Sequence, residues 1–214
     1  MKKIAVFLSE NGAELQCAID ACADHVVRGT VDFVVYLRSD GSGLKRAVES
    51  DSYSEAQAVS GAPDREKFFH QLQEEMQERG IDWIVMLEAG EELPAFFVEA
   101  FYPRIIRLAP SSHEVPIGAA GAMSVRQVLD QGIAQVGCTA YLVAPAGHPL
   151  VVIETEHVPV FPDDTIFRLL QRVRKAGRYL LPRVLSACCE DRLHMDEENA
   201  RVVIDPPREE RFYF

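Results

Sequence analysis

The sequence lacks the features that mark membrane, secreted and nucleic-acid-binding proteins. No apolar run approaches the roughly 20 residues that span a bilayer. The apolar start, Ile4 to Leu8, stops at Ser9, which predicts a first strand and not a signal peptide. Basic residues are few, since 22 stand against 33 acidic residues for a formal net charge of -11. Such a field repels nucleic acids and anionic membranes, so we expect neither as a partner.

Cysteine is sparse and forms neither a metal-binding nor a disulfide pattern. The five cysteines include no Cys-x-x-Cys pair, and none stands at a zinc-like spacing from a histidine. A reduced, cytoplasmic protein without a bound metal is the simplest prediction. With 214 residues, 48% of them hydrophobic, the chain can bury one sizeable core. We expect residues 1–214 to form a single domain.

Short apolar runs alternate with helical patterns through the first half of the chain. The runs that predict buried strands are Lys3 to Leu8, Val31 to Leu37, Trp83 to Leu87 and Ile105 to Leu108. Apolar residues recur at helical spacing from Leu15 to Cys22 and from Phe68 to Met76, before a stop signal at Gly80. This alternation predicts right-handed crossovers in an α/β fold, with a Rossmann-like, mostly parallel twisted sheet and flanking helices.

The second half predicts a helix, a hairpin and a long closing helix. Residues 124–131 have a helical pattern, and two strand-like runs, Thr139 to Ala144 and Leu150 to Val158, flank a turn rich in Pro and Gly. From Asp163 onward, apolar residues at helical spacing predict one long helix, with Gly177 and Pro182 as the places for a kink. The tail after Asp205 is expected to fray.

Several blocks of the chain resemble, in order, the glycinamide ribonucleotide formyltransferase family, which uses 10-formyltetrahydrofolate in purine synthesis. Residues 7–21 are similar to the family's Ser-Gly-Asn-Gly-Ser-Asn-Leu-Gln phosphate loop and the helix behind it. Residues 84–111 align without a gap, and residues 126–143 follow the family's next block. The resemblance implies the formyltransferase fold, with a cleft at the carboxyl ends of the strands.

The family's catalytic positions hold other residues. The family text Asn-x-His-Pro-Ser is here Arg107-Leu108-Ala109-Pro110-Ser111, and the downstream catalytic Asp corresponds to Ala146 across a small deletion. Formyl transfer needs an oxyanion donor and a group that takes a proton from the attacking amine. Alanine supplies neither, and arginine is no base near neutral pH. His113, in the following loop, is the candidate substitute for the lost base.

The substrate-binding positions that the resemblance implies have also changed. They are Asn11, Gly12, Ala13 and Glu14. Backbone N–H groups at a helix start can still bind an anion there, but Glu14 places a negative charge where a phosphate would lie. On the last helix, the family's Glu-His pair is Gly177-Arg178, so a ribose contact is missing.

The folate pocket that the resemblance implies keeps its apolar walls and changes its charge. The cofactor-binding positions are Glu91, Leu93, Val98 and Val143. Glu91 stands where the family has a basic residue. The three apolar side chains would retain part of a pterin pocket, so 10-formyltetrahydrofolate remains the cofactor if the chain is active.

Acidic residues gather near the predicted carboxyl ends of the strands. They are Glu10, Glu14, Glu88, Glu91 and Glu92. One interpretation is an acidic cleft that takes an amine or a metal ion. The favoured interpretation is surface charge at helix starts, where Glu14 stabilises its own helix without any ligand.

The sequence leaves three functional hypotheses. The leading one is a degenerate family member, a pseudoenzyme without formyl transfer, that acts as a binding, regulatory or assembly module with a small-molecule ligand, a protein partner or a second copy. The second is an active formyltransferase in which Arg107 polarises the formyl oxygen and His113 or a water moves the proton. The third is an enzyme of different chemistry that uses the acidic cleft.

Overall fold

The runs of valine and isoleucine form the centre of a sheet in a computed structural model of the chain. The structure describes residues 1–8, 13–36, 55–58, 64–87, 92–112, 125–149, 151–196 and 201–206. The strands are β1 (Lys2–Leu8), β2 (Gly29–Tyr36), β3 (Glu55–Ala58), β4 (Trp83–Leu87), β5 (Ile105–Ser112), β6 (Gln135–Leu142), β7 (Val151–Pro159), β8 (Leu193–Asp196) and β9 (Arg201–Ile204). The helices are α1 (Ala13–Ala23), α2 (Arg65–Arg79), α3 (Ala95–Phe101), α4 (Val125–Asp130) and α5 (Ile166–Cys189).

The large sheet is mixed and mostly parallel, which confirms the predicted fold class. Its strands lie in the order β3-β2-β1-β4-β5-β6-β7. The pairs from β3 to β5 are parallel, and β6 and β7 are antiparallel to their neighbours. The direction of winding reverses between β1 and β4. In open α/β sheets, ligands bind at the carboxyl ends of the strands beside such a switch point.

The two faces of the sheet carry separate apolar cores. We call the face that packs against α1 and α5 the first face, and its core includes Val6, Ile106 and Leu181. The second face packs against α2 and α3, and its core includes Phe7 and Phe97. Side chains alternate between the faces along each strand, because successive residues of a strand point in opposite directions.

Local capping explains where the two long helices begin and end. The Asp64 side chain accepts a hydrogen bond from the Lys67 amide at 3.1 Å, and Gly80 ends α2 in the left-handed conformation at φ 68°. The predicted stop at Gly80 is therefore confirmed. The Thr165 hydroxyl caps α5 at 3.2 Å from the Arg168 amide. That helix continues as one element past Gly177 and Pro182.

Several boundaries differ from the predictions. β5 continues through Pro110 to Ser112, whereas its prediction ended at Leu108. Its pairing with β4 ends at Leu108, so Pro110 needs no N–H on that side and remains compatible with a strand. β6 begins at Gln135, earlier than predicted, because Val136 and Cys138 are buried in the first-face core.

The sequence did not predict β3, α3 or the small β8–β9 hairpin. β8 and β9 are antiparallel, and the Asp205 amide closes their end by donating to the Arg192 carbonyl at 2.9 Å. Most of the expected frayed tail after Asp205, residues 207–214, lies outside the described residues. Within the described part of the chain, no helix is both long enough and apolar enough to cross a membrane.

Candidate functional site

A cavity lies on the first face, where the carboxyl ends of β4 and β5 meet α1 and α5. Its volume is about 40 Å³, and it is partly open to solvent. Its walls are mainly apolar side chains: Leu87, Leu108, Pro110, Cys138, Leu170 and Val173. Two charged residues also line it, Glu14 from α1 and Arg174 from α5. An apolar pocket with a few converging polar groups at a switch point is the usual form of a small-molecule site.

Glu14 lies inside the protein and not on its surface. The side chain is in the first turn of α1, as predicted, but it is only 8% exposed. The expectation of a solvated surface charge is therefore wrong. The helix turns this position toward α5, where Leu15 and Ala18 are also buried. The negative charge of Glu14 reaches the Cys17 thiol and, after the larger effect of burial, adds to the rise in its pKa.

Gly177 lets α5 approach β6 closely beside the cavity. A Cβ atom there would lie 3.2 Å from the Cys138 sulfur, which is tighter than an ordinary contact. Cys138 is itself buried and packs as a small apolar side chain. The close approach of helix and strand therefore depends on a residue without a side chain at position 177.

The two family catalytic positions on β5 face away from this cavity. Because Leu108 and Pro110 line it, strand alternation turns Arg107 and Ala109 toward the second face with Ile105. Ala109 is 7% exposed, and its partner across β6 is Thr139. The Thr139 hydroxyl lies 2.8 Å from that of Thr155 on β7. The described cross-strand neighbour of Ala109 is thus Thr139, whose hydroxyl does not act as a base near neutral pH.

Arg107 has a tyrosine as its neighbour. It pairs across β6 with Tyr141, which is buried. Burial raises the pKa of the Tyr141 hydroxyl, and the positive charge of Arg107 acts in the opposite direction. A guanidinium and a protonated phenol can both donate hydrogen bonds to an anionic oxygen.

Ala146 lies on the turn between β6 and β7, and it is exposed. That turn begins where the Val143 amide donates to the Ile105 carbonyl at 2.9 Å, at the amino end of β5. Ala109 is four residues farther along the strand, or about 13 Å. The turn is held at its own end by a hydrogen bond from the His148 amide to the Pro145 carbonyl and by contact of His148 with the Tyr102 ring.

The structure brings together the three apolar positions of the predicted folate pocket. Val98 is buried in the second core, and Leu93 and Val143 pack against the same core. Their neighbours include Phe97 and Phe101, whose ring centroids are 4.9 Å apart. These side chains contribute to the apolar packing around α3.

Several predicted residues cannot be placed. Asn11, Gly12, His113 and Glu91 lie outside the described residues, as do Glu10 and Glu88. Ala13 is the first residue of α1. Of the five residues of the predicted acidic cleft, the structure describes Glu14, which lines the cavity together with Arg174, and Glu92, which is exposed.

Sequence reasoning missed Arg174 and Tyr141. Arg174 is one of many basic residues on α5, and only its position one turn before Gly177 distinguishes it. Tyr141 occupies an ordinary strand position, so its place beside Arg107 follows only from the β5–β6 register.

The described residues include no ionised cysteine thiol that is indicated by a lowered pKa and no group of side chains arranged as metal ligands. All five cysteines are free thiols. Burial raises the pKa of the Cys188 thiol strongly and that of Cys189 to about 12, so both remain protonated. Among the residues that the structure describes, no group of three or more His, Cys, Asp or Glu side chains is placed to hold a metal ion.

Known proteins share both the sequence pattern and the fold. Residues 2–185 match the family described as formyl transferase. The chain belongs to the formyl transferase family. It is 29% identical over 198 residues to phosphoribosylglycinamide formyltransferase from Escherichia coli (strain K12), with 92% of each chain covered. It is 27% identical over 206 residues to the protein of the same name from Haemophilus influenzae, covering 94% of this chain and 93% of the relative.

Solved structures with the same fold agree with this assignment. Glycinamide ribonucleotide transformylase 1 from Symbiobacterium toebii superposes with a TM-score of 0.82 at 28% identity, covering 96% of this chain and 95% of that one. A formyltetrahydrofolate deformylase from Pseudomonas syringae pv. tomato has a TM-score of 0.80 at 19% identity, covering 96% of this chain and 66% of its own. The second likeness shows the shared fold alone.

Proposed function

We propose that this chain is a formyl transferase family member that has lost formyl transfer from 10-formyltetrahydrofolate and acts as a small-molecule binding or regulatory module. The observation that carries the proposal is the environment of Ala109. This residue is buried at the position where the resemblance implies the catalytic histidine, and its cross-strand neighbour is Thr139.

Chemistry explains why these replacements matter. Removing one oxyanion donor costs about 10² to 10³ in rate, and removing acid–base help costs about 10² to 10⁴. The two losses are not additive, but either one leaves a poor catalyst. Ala146 also supports the proposal, because alanine has no carboxylate where the resemblance implies the catalytic aspartate. Its turn begins at the amino end of β5, away from Ala109.

The direct test is a steady-state transformylase assay on the purified chain with 10-formyltetrahydrofolate and glycinamide ribonucleotide. The Escherichia coli relative, assayed in parallel, is the positive control. We expect the relative to turn over within the usual range of ~1 to 10³ per second and this chain to show no turnover above background. Turnover of this chain within that range would refute the proposal.

A second candidate is an active formyltransferase with substituted catalytic residues. Its support is the pair of Arg107 and Tyr141, which together offer two hydrogen-bond donors to a developing oxyanion. In that case His113 or a water moves the proton. If Arg107→Ala and His113→Ala both leave a measured activity unchanged, this assignment of roles is wrong.

Three of the proposed cofactor-binding positions are apolar. Leu93, Val98 and Val143 share one core and would hold the pterin, and the bound cofactor would supply the formyl group. Calorimetry with a folate that lacks the formyl group tests binding apart from activity. We expect weak binding. The apolar side chains would still contact the pterin, but Glu91 stands where the family has a basic residue, which lowers the affinity for the folate.

Partners and location remain part of the proposal. We place the protein in the cytoplasm, consistent with five free thiols. A protein partner or a second copy of the chain is proposed on the ground that a retained fold without transfer activity needs another use. Light scattering of the purified chain tests for the second copy.

A further inference from the structure

Two phenylalanines are exposed beside each other where β7 leads into α5. Phe161 is 49% exposed and Phe167 is 69% exposed, and Ile166, the neighbour of Phe167 in the chain, is 45% exposed. The two rings line an open groove of about 450 Å³, together with Gln171 and four charged residues, Asp163, Asp164, Arg168 and Arg172. We call the residues that line this groove the junction patch. Single exposed apolar side chains are ordinary, but a group of them rimmed by polar residues marks an interaction surface.

Arg172 fixes one side of the junction patch. Its guanidinium lies 4.6 Å from the centre of the Phe161 ring, and it donates hydrogen bonds to the Asp164 carboxylate and, at 3.1 Å, to the Pro159 carbonyl. The Phe161 amide donates to the same carboxylate at 2.8 Å. Because these contacts hold the ring before anything binds, an association at this surface loses little conformational entropy there.

The charges of the junction patch balance, unlike those of the whole chain. Asp164 pairs with Arg172, and the Asp163 carboxylate lies 3.3 Å from the Arg168 guanidinium, at side chains that are 81% and 64% exposed. The net charge of the chain is -11, so most of the surface repels a second copy. At the junction patch each copy instead offers the other one exposed carboxylate and one exposed guanidinium.

This balance favours one occupant over the others. A strongly acidic or strongly basic partner gains no net attraction from two carboxylates and two guanidiniums. A second copy of the same surface brings a complementary set of charges, because a two-fold axis places each residue opposite a different residue of the partner. Its exposed phenylalanines also supply the apolar centre that a protein interface needs.

We propose that the junction patch is a self-association surface at which two copies of this chain meet about a two-fold axis. Phe167 of each copy enters the groove beside Phe161 of the other, and Asp163 of each lies against Arg168 of the other. This inference goes beyond the proposed function, because it concerns a contact that both an active and an inactive chain can make. Few side chains form the apolar centre, so we expect a weak, transient contact that is half-dissociated at about 10 to 100 µM.

Sedimentation velocity over a range of concentrations tests the contact with a matched pair of variants. Phe167→Glu brings two negative charges together at the centre of the contact and should weaken self-association at least about tenfold. Tyr179→Glu makes the same change of charge on the same helix, at a side chain that is 59% exposed and lies outside the groove, and should leave self-association unchanged. A wild-type chain that stays monomeric at ~300 µM would overturn the proposal, and so would equal effects of the two variants.

A charge-reversal experiment tests whether the two copies touch at the rim. Asp163→Arg leaves the exposed rim with two cations, and Arg168→Asp leaves it with two anions, so each variant alone should associate about fivefold more weakly than wild type at low ionic strength. An equimolar mixture of the two should regain the association. Both variants lack the ion pair within one chain, so recovery in the mixture reports contact between copies. A mixture that associates no better than either variant alone would contradict the proposed contact.

These outcomes are separate from those of the transformylase assay. If the chain transfers formyl groups and the Phe167→Glu variant is monomeric, the proposed function fails and the self-association surface stands. If the chain is inactive and remains monomeric at all concentrations, the proposed loss of transfer stands and the self-association surface fails.

Discussion

The two faces of the sheet differ in how completely they are filled. On the second face, aromatic rings pack in series: the Phe97 centroid lies 5.9 Å from that of Phe7, 5.3 Å from Phe69 and 4.9 Å from Phe101. On the first face, a small cavity beside Gly177 is lined by Glu14 and Arg174 together with apolar side chains. Both faces are built on the same strands, and among the described residues the first face places charged side chains around a small cavity.

This difference separates residues that maintain the fold from residues that define a site. The aromatic packing of the second face stabilises the chain without any ligand, because buried rings contribute both area and favourable mutual geometry. Polar groups in the first-face cavity contribute little to folding by burial and are costly when unpaired. Retaining them is expected where a ligand uses them. The predictions below test whether the faces differ in this way.

The largest effect is expected on the second face. Phe97→Ala removes a fully buried ring in contact with other rings and should lower the free energy of unfolding by about 3 to 5 kcal/mol. Urea denaturation measures the change. Phe167→Ala, at a side chain that is 69% exposed, is the matched control and should change stability by less than about 0.5 kcal/mol. Similar losses in both variants would show that the aromatic packing is not stabilising.

A pair of valines on α5 compares a packed position with a cavity wall. Val184 is fully buried away from the cavity, whereas Val173 lines it. Val184→Ala should cost about 2 kcal/mol and Val173→Ala about 1 kcal/mol, because a wall side chain already lacks neighbours on one side. Chemical denaturation of both variants gives the comparison. A greater loss at Val173 would contradict the presence of an open cavity.

Gly177 and Cys138 test how closely helix and strand approach at the cavity. Gly177→Ala should gain about 0.5 to 1 kcal/mol of helix stability, offset by the 3.2 Å contact with the Cys138 sulfur. Cys138→Ala removes that sulfur, so the gain in helix stability should then appear in the free energy of unfolding. We therefore expect Gly177→Ala to be more favourable by about 0.5 kcal/mol or more in the Cys138→Ala background. Strict additivity in a double-mutant cycle would argue against this contact.

The smallest effect is the acid sensitivity of the start of α5. The Phe161 amide donates to Asp164 at 2.8 Å, and this bond, together with Arg172, lowers the pKa of the Asp164 carboxyl below its ordinary 3.8. A lowered pKa in the folded state stabilises the protein above about pH 4, and the stabilisation is lost as pH falls through the folded-state pKa. The stability difference between wild type and Asp164→Asn should therefore shrink on acidification. Asp163→Asn, at an exposed ion pair with Arg168, should show little such dependence.

The sequence was sufficient for the four longer parallel strands and for the long helices. Buried strands such as β1 and β4 are short runs of apolar residues, and α2 carries both a capping aspartate and a terminal glycine. The short elements β3 and α3 have no such apolar run or capping residue in the sequence. β3 has only four residues, and α3 begins after Pro94 with a run of aromatic residues that has no clear period.

The charges of the cavity were harder to predict. Glu14 has the same sequence context as a solvated residue in a first helical turn, and only the packing of α1 against α5 shows that it is buried. Arg174 becomes a cavity residue because the register of α5 places it beside Val173 and one turn before Gly177. Packing between segments that are distant in the sequence determines both positions, so local sequence patterns do not predict them.

A single-turnover experiment tests the loss of formyl transfer most directly. The purified chain, in excess over 10-formyltetrahydrofolate and with glycinamide ribonucleotide present, is mixed rapidly, and formyl transfer is followed optically, which separates the chemical step from product release. We predict no transfer beyond the rate in buffer, while the Escherichia coli relative reacts under the same conditions. Transfer by this chain at about 1 per second or faster would contradict the account.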